Sequence, residues 1–245
     1  MFWIYWIIGL LLSVIASGYI VKYHREVGYT FLVVLLAGFI LISNILVPRL
    51  IGLNIGKWEL SVVTGSLLWP FTAQLSDMIN EIYGKHKTLI AFAFGYLINI
   101  LFVVFVMMAD NAHAVWSDEM ETFWKSYFLP AGRVFMASTV SFIVCQIMDA
   151  YIFSYLKEKW RSKEEKGDIR FILKISSYRN VLSDMINMCS DGIIFTIIAF
   201  SFTLPFDAII KIIISSIIIK VSIAIVDTPL FALFKYITKN EERYK

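Results

Sequence analysis

Six side chains able to share a proton or grip a polar ligand stand in largely apolar sequence: Asp77, Glu81, Asp149, Asp191, Lys220 and Asp227. A carboxylate accepts paired N–H donors, an ammonium neutralises or gates a carboxylate, and amides such as Asn44, Asn80, Gln146 and Asn187 both donate and accept. Covalent chemistry is not indicated. His24, His86 and His113 are scattered over connections without metal-ligand spacing, and Cys145 and Cys189 lie in apolar runs with no CxxC neighbour. The phosphate loop G-x-x-x-x-G-K-[ST] is missing, since GLNIGKW at 52–58 has the wrong spacing. These residues suit binding and relay of a small molecule, so no catalytic residue, metal or cofactor is expected.

Composition says what must position them. Of 245 residues, 59% are hydrophobic and 17% charged, with mean hydropathy +0.73, against about half apolar and a quarter charged in soluble chains. A spanning helix needs about 20 apolar residues. Seven segments qualify, at 3–21, 28–47, 60–83, 89–108, 134–156, 183–203 and 209–237. Pro70 and Pro229 mark a kink or a freed carbonyl in the third and seventh. The first run lacks a basic n-region and is too long for a signal h-region. The reading is an all-α polytopic membrane protein, one domain over 1–245, built as a bundle of about seven transmembrane helices.

Lysine and arginine set the orientation. With the N-terminus outside, sixteen cations fall on cytoplasmic positions and four, Arg49, Lys57, Lys125 and Arg133, on outer ones. The loop 109–133 carries Asp110, Asp118, Glu119 and Glu121, which suits an outer surface. The C-terminus is then cytoplasmic. The inner loop 157–179 mixes signs and reads as a solvated amphipathic segment against anionic headgroups rather than a nucleic-acid site.

Orientation gives depth. Asp77 lies seven residues before Gly84, Asp149 eight before Lys157, Asp191 about eight into the sixth span and Asp227 eight before Lys235. At 1.5 Å per residue each is about 10–12 Å from the inner border, so four acids are expected in one layer. A carboxylate facing lipid there costs a few kcal/mol, so each should face the interior. Ser138, Cys145 and Asp149 share a helical face with Gln146 beside it, Ser183, Asn187 and Asp191 share another, and Lys220 aligns with Asp227. The pentapeptide SDMIN occurs twice, at 76–80 and 183–187; one copy closes a span and the other opens one, which reads as coincidence.

A lysine in the last of seven helices also describes a retinal protein, with Lys220 as the Schiff-base amine. Against it, Ser216 stands one turn before Lys220 where an Asp is required, and the third span lacks an Arg-plus-Asp pattern.

WPFTAQLSDMINEIYGKHK at 69–87 resembles the signature of the queuosine precursor transporter family, also called the vitamin uptake transporter family. RVFMASTVSFIVCQIMDAYIFSYLK at 133–157, YRNVLSDMINMCSDGIIFTIIAF at 178–200 and KVSIAIVDTPLF at 220–231 resemble its later segments, in order over roughly 30–237. Asp184 and Met188 depart from it, where Thr and Gln are commoner. The resemblance implies an accessory N-terminal helix at 1–27 on a six-helix core at 28–237. It implies import of a 7-deazaguanine, such as the 7-cyano or 7-aminomethyl base or queuine, for tRNA modification, with proton coupling left open. In that reading Asp77, Asp149 and Asp191 line the site and Asn44, Asn80, Gln146 and Asn187 supply hydrogen bonds. Trp69 and Phe71 stack on the ring, and Glu81, Lys220, Asp227, Arg133 and Arg179 serve gating or proton coupling. A homo-oligomer is left open. The alternative is a substrate-binding subunit served by a separate ATPase, on fold-level analogy.

Overall fold

A computed structural model describes residues 2–46, 49–55, 58–128, 132–166, 169–201 and 205–238. Eight α-helices occur among them: α1 (Phe2–Tyr23), α2 (Arg25–Leu46), α3 (Trp69–Tyr83), α4 (Lys85–Asp110), α5 (Asp118–Phe128), α6 (Gly132–Lys166), α7 (Ile169–Phe200) and α8 (Phe206–Thr238). By length and composition α1, α2, α4 and the apolar stretches 137–161 of α6 and 174–200 of α7 can each cross a bilayer. At 33 residues α8 is long enough as well.

The third expected span is not one continuous helix. Residues 50–55 (β1) and 58–63 (β2) pair as an antiparallel hairpin, from Leu50↔Val63 to Ile55↔Trp58, and a 3-10 turn at Thr64–Leu67 follows. Val62 and Val63 favour the extended state, and Pro70 starts the helix in its first turn, where its missing N–H costs nothing. The remaining helix, α3, has 15 residues, about 22 Å against a hydrocarbon thickness of about 30 Å. The chain entering it is anchored by Ser43 Oγ donating to the Gly65 carbonyl at 2.9 Å and Trp6 Nε1 donating to the Leu67 carbonyl at 3.0 Å.

Every residue of α3 from Trp69 to Glu81 is buried. Lipid therefore never meets its polar side chains, because α2, α4, α6, α7 and α8 surround it. That is how so polar a helix is tolerated in a greasy chain. At Gly84 the backbone takes φ +82, a left-handed value that favours glycine, and α4 starts at once. Gly84 N–H donates to the Asn80 carbonyl at 3.1 Å, closing the corner. Beside it Tyr83 Oη donates to the Arg25 carbonyl at 2.5 Å.

Lipid meets other faces. On α4, Phe94, Leu97, Leu101, Val104, Phe105 and Met108 are exposed along one stripe. Helix α1 packs on α2 and α8, burying Leu10, Val14 and Val21 and exposing Ile4, Ile8 and Leu12.

The segment 157–179, read from sequence as a loop, is mostly helix. Helix α6 runs on to Lys166 and α7 begins at Ile169, so the pair forms a long antiparallel hairpin. The segment 109–133 holds α5, where the Trp116 indole N–H and the Lys125 ammonium keep the Glu121 carboxyl below its usual range.

Candidate functional site

Three polar layers cross the interior, and side-chain contacts fix their register. Between α6 and α7, Ser141 meets Asp191, Asp149 meets Ser183, and Phe153 lies under Arg179. Rising numbers on one helix match falling numbers on the other, so these helices are antiparallel. Between α3 and α6, Thr72 meets Gln146, Ser76 meets Asp149, and Asn80 meets Ser154. Those two run parallel.

The first layer centres on Asp191. Its carboxylate pairs with Lys220 of α8 and accepts from Ser141 Oγ of α6 at 2.5 Å. All three side chains are buried.

The second layer centres on Asp149, which is wholly buried. Ser76 Oγ of α3 donates to Oδ2 at 3.2 Å and Ser183 Oγ of α7 donates to Oδ1 at 2.7 Å. The two serines open the two SDMIN copies. The duplication set aside as coincidence thus places one serine on each oxygen of a single carboxylate. Each copy's next residue, Asp77 or Asp184, is also buried, and the charged groups acting on Asp77 are Asp149, Asp184, Arg179 and Glu81.

The third layer centres on Glu81 of α3. Lys235 Nζ of α8 lies 2.7 Å from Oε1, Arg179 of α7 pairs with Oε2, and Lys157 Nζ of α6 stands 3.6 Å from Oε2. The Arg179 guanidinium also sits 4.7 Å over the Phe153 ring. One carboxylate therefore ties four helices at the Gly84 end of the bundle.

The four expected acids do not share one layer. Asp191 bonds to Ser141, eight positions before Asp149 on α6, so it sits about 12 Å along the bundle from the Asp149 layer. Hydropathy places the start of the sixth helix at 183, whereas α7 starts at Ile169. Asp77 and Asp149 do adjoin. The side chains of Asp227 and Arg133 lie outside the described residues.

Asn80 and Asn187 differ sharply. Asn80 Nδ2 donates to the Ala150 carbonyl at 3.0 Å, and its Oδ1 accepts from Ser154 Oγ at 2.9 Å. Asn187, equally buried, has neither amide atom bonded. Gln146 uses Nε2 on Thr72 at 3.5 Å and leaves Oε1 open. Both oxygens of Asp77 and the Trp69 indole nitrogen are also without partners. Trp69 meets Phe142 edge-on at 5.2 Å, whereas Phe71 points to the other side of α3, packed on Trp6 and Phe39. Asn44 belongs to another place, its Nδ2 donating to Asn99 Oδ1 at 2.7 Å between α2 and α4.

Unpartnered buried polar atoms are costly, each by about 1–3 kcal/mol, and rare in folded proteins. Among the described residues they include atoms of Trp69 and Asp77 on α3, Gln146 on α6 and Asn187 on α7, and single hydroxyl or carboxyl oxygens of Ser17, Asp110, Thr139 and Thr196 are also without partners. Gln146 and Asn187 stand within a turn of Asp149 and Ser183, on the same helical faces. The hydroxyls of Ser76, Ser141 and Ser183 and the cations Lys157 and Lys235 are missing from the sequence-level site. Ser183 shares a helical face with Asn187 and Asp191 in the sequence but is given no role there, and Ser76 and Ser141 give no periodic signal of their own.

Long apolar helices enclosing a buried polar interior with open hydrogen-bonding atoms define a multi-pass membrane protein built to take a small molecule. The chain belongs to the family described as "Putative vitamin uptake transporter", whose model matches residues 63–234. It is also similar to the "Probable queuosine precursor transporter" of Bacillus subtilis (strain 168), with 26% identity over 187 residues, 75% of this chain and 76% of the relative. No solved structure matches.

Proposed function

We propose that the protein imports a queuosine precursor, a 7-deazaguanine base used in tRNA modification, through the interior site around Asp77 and Asn187. The likeness to the Bacillus subtilis relative supports the substrate class. The observation that carries the site is the set of unpartnered buried atoms on Asp77, Gln146, Asn187 and Trp69. A guanine-like edge presents adjacent N–H donors, which the two Asp77 oxygens accept as a pair, and a ring carbonyl, which Asn187 Nδ2 serves. Trp69 offers an aromatic face and an N–H. Asp149, with two hydroxyls on it, keeps acceptor capacity for a further donor such as an aminomethyl arm.

The layers on either side act as barriers. The Glu81 cluster closes the Gly84 end, which the lysine and arginine bias makes cytoplasmic, and the Asp191–Lys220 pair restricts the other. Passage requires that these ion pairs part in turn, so each is a gate.

The test is equilibrium binding of the purified protein to 7-cyano- and 7-aminomethyl-7-deazaguanine, queuine, guanine and riboflavin. The expected result is binding of the deazaguanines, with Asp77→Asn reducing affinity at least about ten-fold, the loss of one or two charge-assisted hydrogen bonds. Binding of riboflavin alone would refute the substrate assignment.

A further inference from the structure

The two SDMIN copies supply an observation that the transport reading does not use. Copy 76–80 lies on α3 and copy 183–187 on α7, and their serines hold opposite oxygens of Asp149. Because α3 runs parallel to α6 and α7 antiparallel, the copies leave Asp149 in opposite directions. Asn80, at the end of the first, reaches α6 at Ala150 and Ser154. Asn187, at the end of the second, falls midway between the contacts Asp149–Ser183 and Ser141–Asp191, level with Cys145. The two amides thus lie on opposite sides of Asp149, roughly 10 Å apart along α6.

Their states are opposite too. The Asn80 amide is docked on α6 through both its atoms, on the side closed by the Glu81 cluster. The Asn187 amide is free on the other side. The first copy leaves its carboxylate, Asp77, open, while Asp184 in the second is not free. One arrangement therefore offers one open carboxylate and one open amide, drawn from different copies.

We infer that the two SDMIN copies are exchangeable halves of one ligand site around Asp149, and that Asn80 and Asn187 take turns as docked and ligand-facing positioning residues when access passes from one side to the other. In the opposite state Asn187 docks on α6, Asn80 is released, and the ligand meets Asp184 and Asn80 in place of Asp77 and Asn187. The same chemistry, one carboxylate and one amide beside Asp149, is then presented in both states. The ligand is passed to a different but chemically equivalent pair of groups, which keeps its affinity similar on the two sides. In carriers built from inverted repeats the substrate site likewise lies where oppositely directed elements meet.

The inference rests on the protein being a carrier but not on which base it carries, and its test needs no ligand. Cys145 and Cys189 are replaced by serine, and a single reporter is introduced as Ser176→Cys, buried at the Glu81 end, or Thr139→Cys, buried toward the other. Labelling by a water-soluble maleimide is followed in nanodiscs, where reagent reaches both faces. Asn80→Ala removes two hydrogen bonds of the present state and should raise labelling of Ser176→Cys by about five-fold or more while lowering that of Thr139→Cys. Asn187→Ala removes bonds of the opposite state alone and should shift both reporters the other way. If Asn80→Ala does not fold, Ser154→Ala removes one of its two bonds and should give a smaller change in the same sense. Shifts in one direction for both asparagine variants, or none in either, would overturn the inference. Failure of deazaguanine binding, by contrast, would remove the substrate assignment and leave this result intact.

Discussion

Glu81 and Lys235 are 154 positions apart in the chain, yet the lysine Nζ lies 2.7 Å from the carboxylate Oε1 in the buried interior. With Arg179 and Lys157 on the same carboxylate, α3 is tied to α6, α7 and α8 by one side chain. Glu81→Gln leaves three cations facing a neutral amide. The expected cost is about 3–5 kcal/mol, the usual penalty for breaking a buried pair on one side. A lower thermal midpoint in detergent would show it, and adding Lys235→Met should recover part of the loss.

Asp191 and Lys220 form the second such tie, between α7 and α8. Asp191→Asn and Lys220→Met should each destabilise, and the double variant should lose less than the sum by about 1–3 kcal/mol. A double-mutant cycle on thermal or denaturant stability measures that difference; strict additivity would mean the pair is not coupled.

Asp77→Asn should behave in the opposite way. Neither oxygen of this buried carboxyl group has a donor, so the isosteric amide breaks no hydrogen bond of the folded protein. The variant is expected to be as stable as the parent or more so, while uptake falls at least about ten-fold. A clear drop in thermal midpoint would instead assign Asp77 a structural role.

Gly28 sits where α2 crosses α1 and α3. A Cβ there would lie 2.8 Å from the Val21 Cα and 2.8 Å from the Tyr83 hydroxyl. The backbone atom cannot give way as a side-chain tip can. Gly28→Ala should cost about 1–3 kcal/mol by overpacking, and Gly38→Ala, with nothing within 4 Å of its Cβ, should be neutral.

Much of this was legible in the sequence. The long apolar runs became α1, α2, α4, α6, α7 and α8, because lipid-facing stripes such as Leu97, Leu101, Val104 and Met108 repeat at helical spacing. The inward turn of Asp77, Asp149 and Asp191 followed from the cost of exposing a carboxylate to lipid. Depth was read less well. Helix ends were judged by hydropathy, which cannot see that the charged stretches flanking α6 and α7 remain helical, and Asp191 was displaced accordingly. The third span differs for a related reason: Leu60 to Val63 are apolar enough for a helix and β-branched enough for a strand, and the pairing with Leu50 to Leu53 settles the choice. The role of Ser76 and Ser183 became visible only once α3 and α7 were seen to flank the same carboxylate.

The unbroken run of α6 has a practical consequence. Its 35 residues span about 52 Å, roughly 20 Å more than the hydrocarbon needs, and α7 accompanies it. Asp149 stands at the midpoint of α6, 17 residues from Gly132 and 17 from Lys166, so about 25 Å of helix extends past it toward the Lys166 tip. A tilt of a few degrees around the occupied interior becomes a displacement of ångströms at the tip, where two dyes could report each turnover without touching the cargo.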